Sequence, residues 1–476
     1  MNKSQLLLLA ALLPASLPAQ VVQARYAQYV LTTTMSAHPE LQKMGLHAVP
    51  PGGQDEIIIA CSVPSKIGKK SSAGDLDIEH AGKPSVKTVT DKSFYDLALS
   101  LTDANKHPIG MIVMEMPFSG ASNPDDAVQK AQTITDEVER QIPSKDALFK
   151  EAPDSAPLVL LRTTALPDIT GDFDHFAIDK ENNRLYVSAE EHHSIEVFDL
   201  KTGEHLQGAS GVTTPHTIAF VPEKSELLVA DGGDGSCRIL DLRDMHQIKR
   251  IPLESGPDAG FYDAEKRLFY IGNGGRAAKQ PYSYISVISA DEGKELNRIR
   301  VESANLESMA LNRAENVLYV NMRDKKLIGV IDLNKNEVRQ TWSIPGLNLN
   351  TPMAFDAPHH RLFIAGRKPG KFYVIDSQSG RVIKTMDSVD VADDMTFDPR
   401  QGRIYVTGSG GVSVYHQDDP DNYTLLTQFG TNGGKTSTYD ASLRQFYIIH
   451  TQTAEDNAAL QVYSVNQNEQ KSSRLN

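Results

Sequence analysis

Seven positions in the later two thirds of the chain could do chemistry together. Asp174, His216, Asp258, Glu307, Thr351, Asp393 and Lys435 each stand five residues before the end of a short apolar run, "HFAID", "ESMALN" and "DMTFD" among them; His175 and Asp394 stand beside two of them. Carboxylate oxygens and imidazole nitrogens are ligands for divalent cations, so Ca²⁺ or Zn²⁺ is one expected occupant. A metal-bound water, with an Asp or His as base, would make the set a hydrolytic centre. The other expectation is a wet, polar channel mouth that holds no metal. Either reading requires these positions to meet in space, so the elements that carry them decide the matter.

Those elements repeat. Leu185, Leu227, Leu268, Leu318, Leu362, Ile404 and Phe446 stand second in "RLYV", "ELLV", "RLFY", "VLYV", "RLFI", "RIYV" and "QFYI", at successive spacings of 42, 41, 50, 44, 42 and 42. Each unit has an inner apolar run, a polar turn, the anchor strand, a third strand such as "SIEVFDL" or "KFYVIDS", a Gly- or Asn-bearing turn, and a last strand. Four short strands with turn chemistry between them make a propeller blade, and blades bury their faces only against one another. The expected fold is mainly β, a seven-bladed propeller, in which the starts of the inner strands line the mouth of a central channel. The seventh unit lacks a fourth strand, while a spare one, "PLVLLRTTALP" (157–167), precedes the first. That strand is expected to complete blade seven, latch the ring and remove an exposed edge.

The units resemble the YVTN-type bacterial propellers, which include the YncE-like proteins. The resemblance rests on "RLYVS", "RIYVTG" and the turns "VFDLKTGE" and "VIDSQSGR", and covers about residues 157 to 466. The pattern departs where Asn often follows the anchor strand: Ser188, Ala230 and Gly408 stand there. The resemblance implies a propeller outside the cytoplasm, usually without an assigned reaction. Metal-dependent lactonase propellers, which converge acidic and Asn ligands on their channel, supply the hydrolase alternative.

Residues 25–150 lack the repeat and are expected to form a smaller α+β domain, PAS- or Cache-like in outline. "EIIIACSV" reads as a strand, residues 94–116 as a long hairpin, residues 39–44 as a short helix and "SNPDDAVQKAQTITDEVERQIPS" as a helix capped by Asn123. Residues 151–156 read as a linker and residues 467–476 as a polar tail. The start, "MNKSQLLLLAALLPASLPAQVVQA", reads as a signal peptide over residues 1–24, cut after Ala19 or Ala24. An exported, periplasmic or extracellular protein without a membrane span is expected. Cys61 and Cys237 are expected as separate buried thiols. A net charge of -13 disfavours nucleic acid.

Two glycine-rich stretches invite stronger claims than they support. "DGGDGS" (231–236) lacks the spacing of a calcium loop and reads as a hairpin turn. "GNGGRAAKQPYSY" (272–284) has no helix after it to cradle phosphate. As the longest insertion in any blade, it offers Arg276, Lys279, Tyr282 and Tyr284 to a partner. No Gly-x-Ser-x-Gly elbow and no CxxCH haem site occurs. The sequence therefore points to a monomeric, exported, non-catalytic binding protein that presents a rigid face to a small ligand or a protein. The alternative is a metal-dependent hydrolase working at the rim.

Overall fold

The computed structural model describes residues 19–466, and the chain is mainly β. The repeat units fold as antiparallel sheets whose strands follow chain order. In blade one these are Phe173–Asp179, Arg184–Ala189, Ser194–Asp199 and His205–Ser210. Six sheets have this four-stranded form; a further one combines Thr436–Asp440, Gln445–His450 and Ala458–Val465 with Leu158–Leu166. In it Leu158 pairs with Val465 and Leu166 with Ala458, so strands from the two ends of the propeller share one sheet. The inner strands touch in order, and Thr436–Asp440 touches Phe173–Asp179, so the series closes on itself.

A single backbone device sets the phase of every sheet. Asn183, Ser225, Arg267, Asn316, His360, Gly402 and Arg444 all have φ between 50° and 59°, each one residue before the start of the anchor-strand pairing. That left-handed conformation turns the chain from the inner strand into the second. It corrects the anchor assigned to blade three. Leu268 pairs with Asp263 as Arg184 pairs with Asp179, so Phe269, fully buried, is the counterpart of Leu185. Adjacent Leu and Phe are indistinguishable by apolar pattern, which allowed the one-residue slip. With it removed, spacings of 41 and 50 become 42 and 49, and Asp258 falls in register with the other rim positions.

The N-terminal unit is a five-stranded antiparallel sheet, ordered Ile57–Cys61, Lys43–Ala48, Pro108–Pro117, Phe94–Thr102, Ser85–Val89. Helices α1 (Arg25–Ala37), α2 (Ala73–Ala81) and α3 (Pro124–Gln141) accompany it. The Asn123 side chain caps α3 by accepting the Asp126 N–H at 2.9 Å, and Ala127, Ala131, Ile134 and Val138 bury one face. No helix covers residues 39–44. Lys43 instead opens a strand buried on both faces in the middle of the sheet, where tertiary pairing overrides a short helical pattern. Helix α2 was not anticipated, although Ser72 and Asp75 form a capping box and Gly82 ends it at φ 62°.

The two units share a core. Val22, Cys61, Val63 and Ile67 cluster with Leu158, Leu160, Phe446 and Tyr463. Across the same boundary Glu455 lies 2.9 Å from Lys43 Nζ and 3.0 Å from Lys66 Nζ. Gln20–Val21 adds a fifth strand to the latched sheet, pairing with Thr163 and Arg162. The expected leader (1–24) falls outside the described residues up to position 18, as does the tail from 467. Cys61 and Cys237 are both buried and unbonded to each other. Among the described residues no helix is long and apolar enough to cross a membrane.

Candidate functional site at the channel mouth

Because each inner strand enters the ring with the same register, equivalent residues arrive at one opening. A cavity of about 190 Å³ there is lined by Asp174, His175, His216, Asp258, Glu307, Thr351, Asp393 and Lys435. Asp394 stands behind this wall, 3.4 Å from His175 Nδ1, with its other oxygen accepting the Ser437 N–H at 2.8 Å.

Three further charged residues line the cavity: Glu190, Arg323 and Arg367. They come from the far ends of the second strands of blades one, four and five. Each stands five residues after the anchor Leu185, Leu318 or Leu362. The sequence signal for them is a second column of the same repeat, at the ends of the second strands.

Neighbouring blades exchange charge. His216 Nδ1 lies 2.8 Å from Asp174 Oδ2 and 3.5 Å from Asp258 Oδ1. Arg323 pairs with Glu307 at 2.7 Å. Arg367 and Lys435 both pair with Asp393, Lys435 at 2.6 Å, and Lys435 reaches Asp172 at 3.0 Å. Glu190 is the least engaged, 4.0 Å from His216 Nε2. Five carboxylates and five basic side chains thus line one small cavity.

The pairing sets the protonation states. For His216, burial opposes charge, but the hydrogen bond to Asp174 and the Asp258 carboxylate override it and raise the imidazole to about 9. For His175, burial is overridden in the same way by Asp174 and Asp394, to about 10. Asp174, despite burial, is held well below the usual carboxylate range by His175 and His216. Burial pushes Asp258 up to about 7, with Glu307 and Asp174 adding to the rise. Since 44 % of its side chain faces the channel, solvent screens part of that shift. Burial also raises Glu190. With both imidazoles protonated at neutral pH, the lining carries near-balanced charge, with acid beside base: His175 and His216 by Asp174, Arg323 by Glu307, and Arg367 and Lys435 by Asp393.

The arrangement also bears on metal. Ligand atoms of Asp174, His216 and Asp258 lie within 4.8 Å of one another. A cation there would have to displace the proton on His216 Nδ1, since a protonated imidazole cannot ligate.

The four loop residues fare differently. Tyr282 and Tyr284 meet edge to face at 5.6 Å and lie under Arg300 and Arg298 of their own blade. Arg276 donates to Asn305 Oδ1 at 3.1 Å and borders a trough beside the mouth. Lys279 occupies the turn, at φ 57°. The stretch 231–236 is a hairpin turn, with Asp231 accepting the N–H groups of Thr213 and Thr214 at 2.8 Å.

No protein-family model matches the chain, and no curated protein does. Solved structures do. A chain of Kuenenia stuttgartiensis hydrazine synthase is similar at a TM-score of 0.53 and 14% identity, over 62% of this chain and 97% of that one. A chain of the mitotic checkpoint complex is similar at 0.53 and 13%, over 65% and 92%. Both are β-propeller proteins, and at this identity the likeness concerns the fold alone.

Proposed function

We propose that this chain is a non-catalytic, seven-bladed binding propeller whose channel mouth takes a small zwitterion, such as a free amino acid or a short peptide. The observation that carries the reading is that one 190 Å³ cavity is lined by five carboxylates and five basic side chains. A ligand with both charges can meet both kinds of side chain. A free anion or cation would be attracted by one kind and repelled by the other. A rigid ring of blades suits such recognition, because the paired side chains are held before the ligand arrives. The leader-like start supports placing this binding protein outside the cytoplasm. Equilibrium dialysis of the full chain against a mixture of amino acids and dipeptides, with mass spectrometry of what is retained, tests the reading. Retention should fall at least about tenfold in Asp258→Asn. An empty protein overturns it.

One observation favours a second reading, a metal-dependent hydrolase. The 2.8 and 3.5 Å separations around His216 Nδ1 suit neighbouring ligands of an ion about 2.1 Å away as well as they suit a shared proton. Here Asp174, His216 and Asp258 would hold Zn²⁺ or Ca²⁺, and the ion would supply an activated water. The charge balance of the remaining lining favours the first reading.

A further inference from the structure

A second cavity, away from the mouth, has the opposite chemistry. It lies where α1 meets blades six and seven, and its volume is about 380 Å³. Leu31 and Met35 of α1 form one wall; Leu160, Phe429 and Tyr463 of the propeller form another. Among the described residues no Asp, Glu, Lys, Arg or His lines it, in a chain whose residues are 23% charged. Burial raises both ionisable lining groups, the Cys61 thiol and the Tyr463 phenol, so they stay neutral.

Much of the polar lining is already committed within the protein. The Gln28 amide accepts the Cys61 N–H at 3.1 Å and donates to its carbonyl at 3.3 Å. Gln42 donates to Glu115 at 3.1 Å, Asn432 to Asp456 at 3.2 Å and Thr431 to the Gly434 carbonyl at 2.9 Å. Tyr463 donates to Gln461 at 2.8 Å. The walls thus offer contact area and few free hydrogen-bonding groups. Around the cavity the two units pack tightly, through the shared core and the Lys43–Glu455–Lys66 cluster. Interfaces between structural units are preferred places for ligand pockets.

We propose that this cavity binds a neutral, largely apolar small molecule, which bridges the N-terminal unit and the propeller. The proposal does not depend on what the channel mouth binds. Gly430 supplies the test, because a Cβ added there meets nothing within 4 Å and needs no left-handed backbone. Gly430 lines the cavity, so a large side chain there has room to occupy part of it.

The experiment titrates the full chain with the uncharged fluorescent dye phenylnaphthylamine and with its sulfonated analogue, anilinonaphthalenesulfonate. One site for the uncharged dye is expected, with the sulfonated dye at least about tenfold weaker. Gly430→Phe should weaken the uncharged dye by a similar factor while the melting temperature changes little. Met35→Lys, which adds a charge at a part-exposed position of the wall, should do the same if Gly430→Phe fails to fold. No binding of the uncharged dye, equal binding of both dyes, or binding unchanged in the variants overturns the proposal.

Discussion

The Nδ1 atom of His216, on the inner strand of blade two, lies 2.8 Å from Oδ2 of Asp174 on blade one. Two blades are thereby tied through a hydrogen bond whose strength depends on a proton. The folded state holds that proton to about pH 9, and the one on His175 to about 10, whereas an unfolded histidine releases it near its ordinary value of about 6.5. Below that value the stabilisation is fully present. Above it the folded chain binds more protons than the unfolded one, so stability falls as pH rises through 9 and 10. The slope is at most about 1.4 kcal/mol per pH unit for each imidazole. Melting temperatures taken from pH 6 to 10 should decline, and His216→Gln should flatten part of the decline. An unchanged slope in the variant would remove His216 from the account.

Asp393 answers for two cations, Arg367 and Lys435. Asp393→Asn should cost about 2 kcal/mol, because both lose a largely shielded partner. Chemical denaturation measures this, and a cost near zero would show that the ring of pairs is not cooperative. Lys435→Met in the same background should recover part of the loss by removing one orphaned charge.

The latch is testable through Leu160, which is 4% exposed on the strand that pairs with Ala458–Val465. Leu160→Ala should destabilise the whole propeller by about 2–4 kcal/mol in a single transition. Because the N-terminal unit shares that core, protein nicked near Asp154 should still elute as one species. Two separated fragments would contradict a shared core.

If the leader is removed, the cut should leave Gln20 as the first residue. Cleavage after Ala24 would strip the edge strand Gln20–Val21 and the buried Val22, which is 3% exposed. N-terminal sequencing of exported protein decides between Gln20 and Arg25.

Much of the fold was legible because a propeller writes its plan several times. Repeats of about 42 residues gave the strands, and the missing fourth strand of the last unit pointed to residues 157–167. The phase of blade three was legible only through a second alignment point: the anchor stands six residues after the end of the inner run in the other units (Asp179 to Leu185, Asp356 to Leu362), and six after Asp263 is Phe269. The inner-strand column was readable through its common offset; Glu190, Arg323 and Arg367 needed a second column. Ion pairing could not be read at all, because which acid meets which base depends on neighbouring blades, and blades are neighbours in space through the ring. In the N-terminal unit, the strand opening at Lys43 was hidden because its burial comes from partners distant in sequence.

The central claim is that the mouth is a balanced, metal-free pocket for a zwitterion. Thermal melting of gently purified full chain, with EDTA, with added Ca²⁺ or Zn²⁺, and with a panel of amino acids and dipeptides, tests it most directly. The account predicts no change with EDTA or metal and a rise in melting temperature with at least one zwitterion. That rise should vanish in Asp258→Asn and in Arg367→Gln. A fall with EDTA, restoration by Zn²⁺ or Ca²⁺, and no response to any zwitterion would contradict it and place a cation between Asp174, His216 and Asp258.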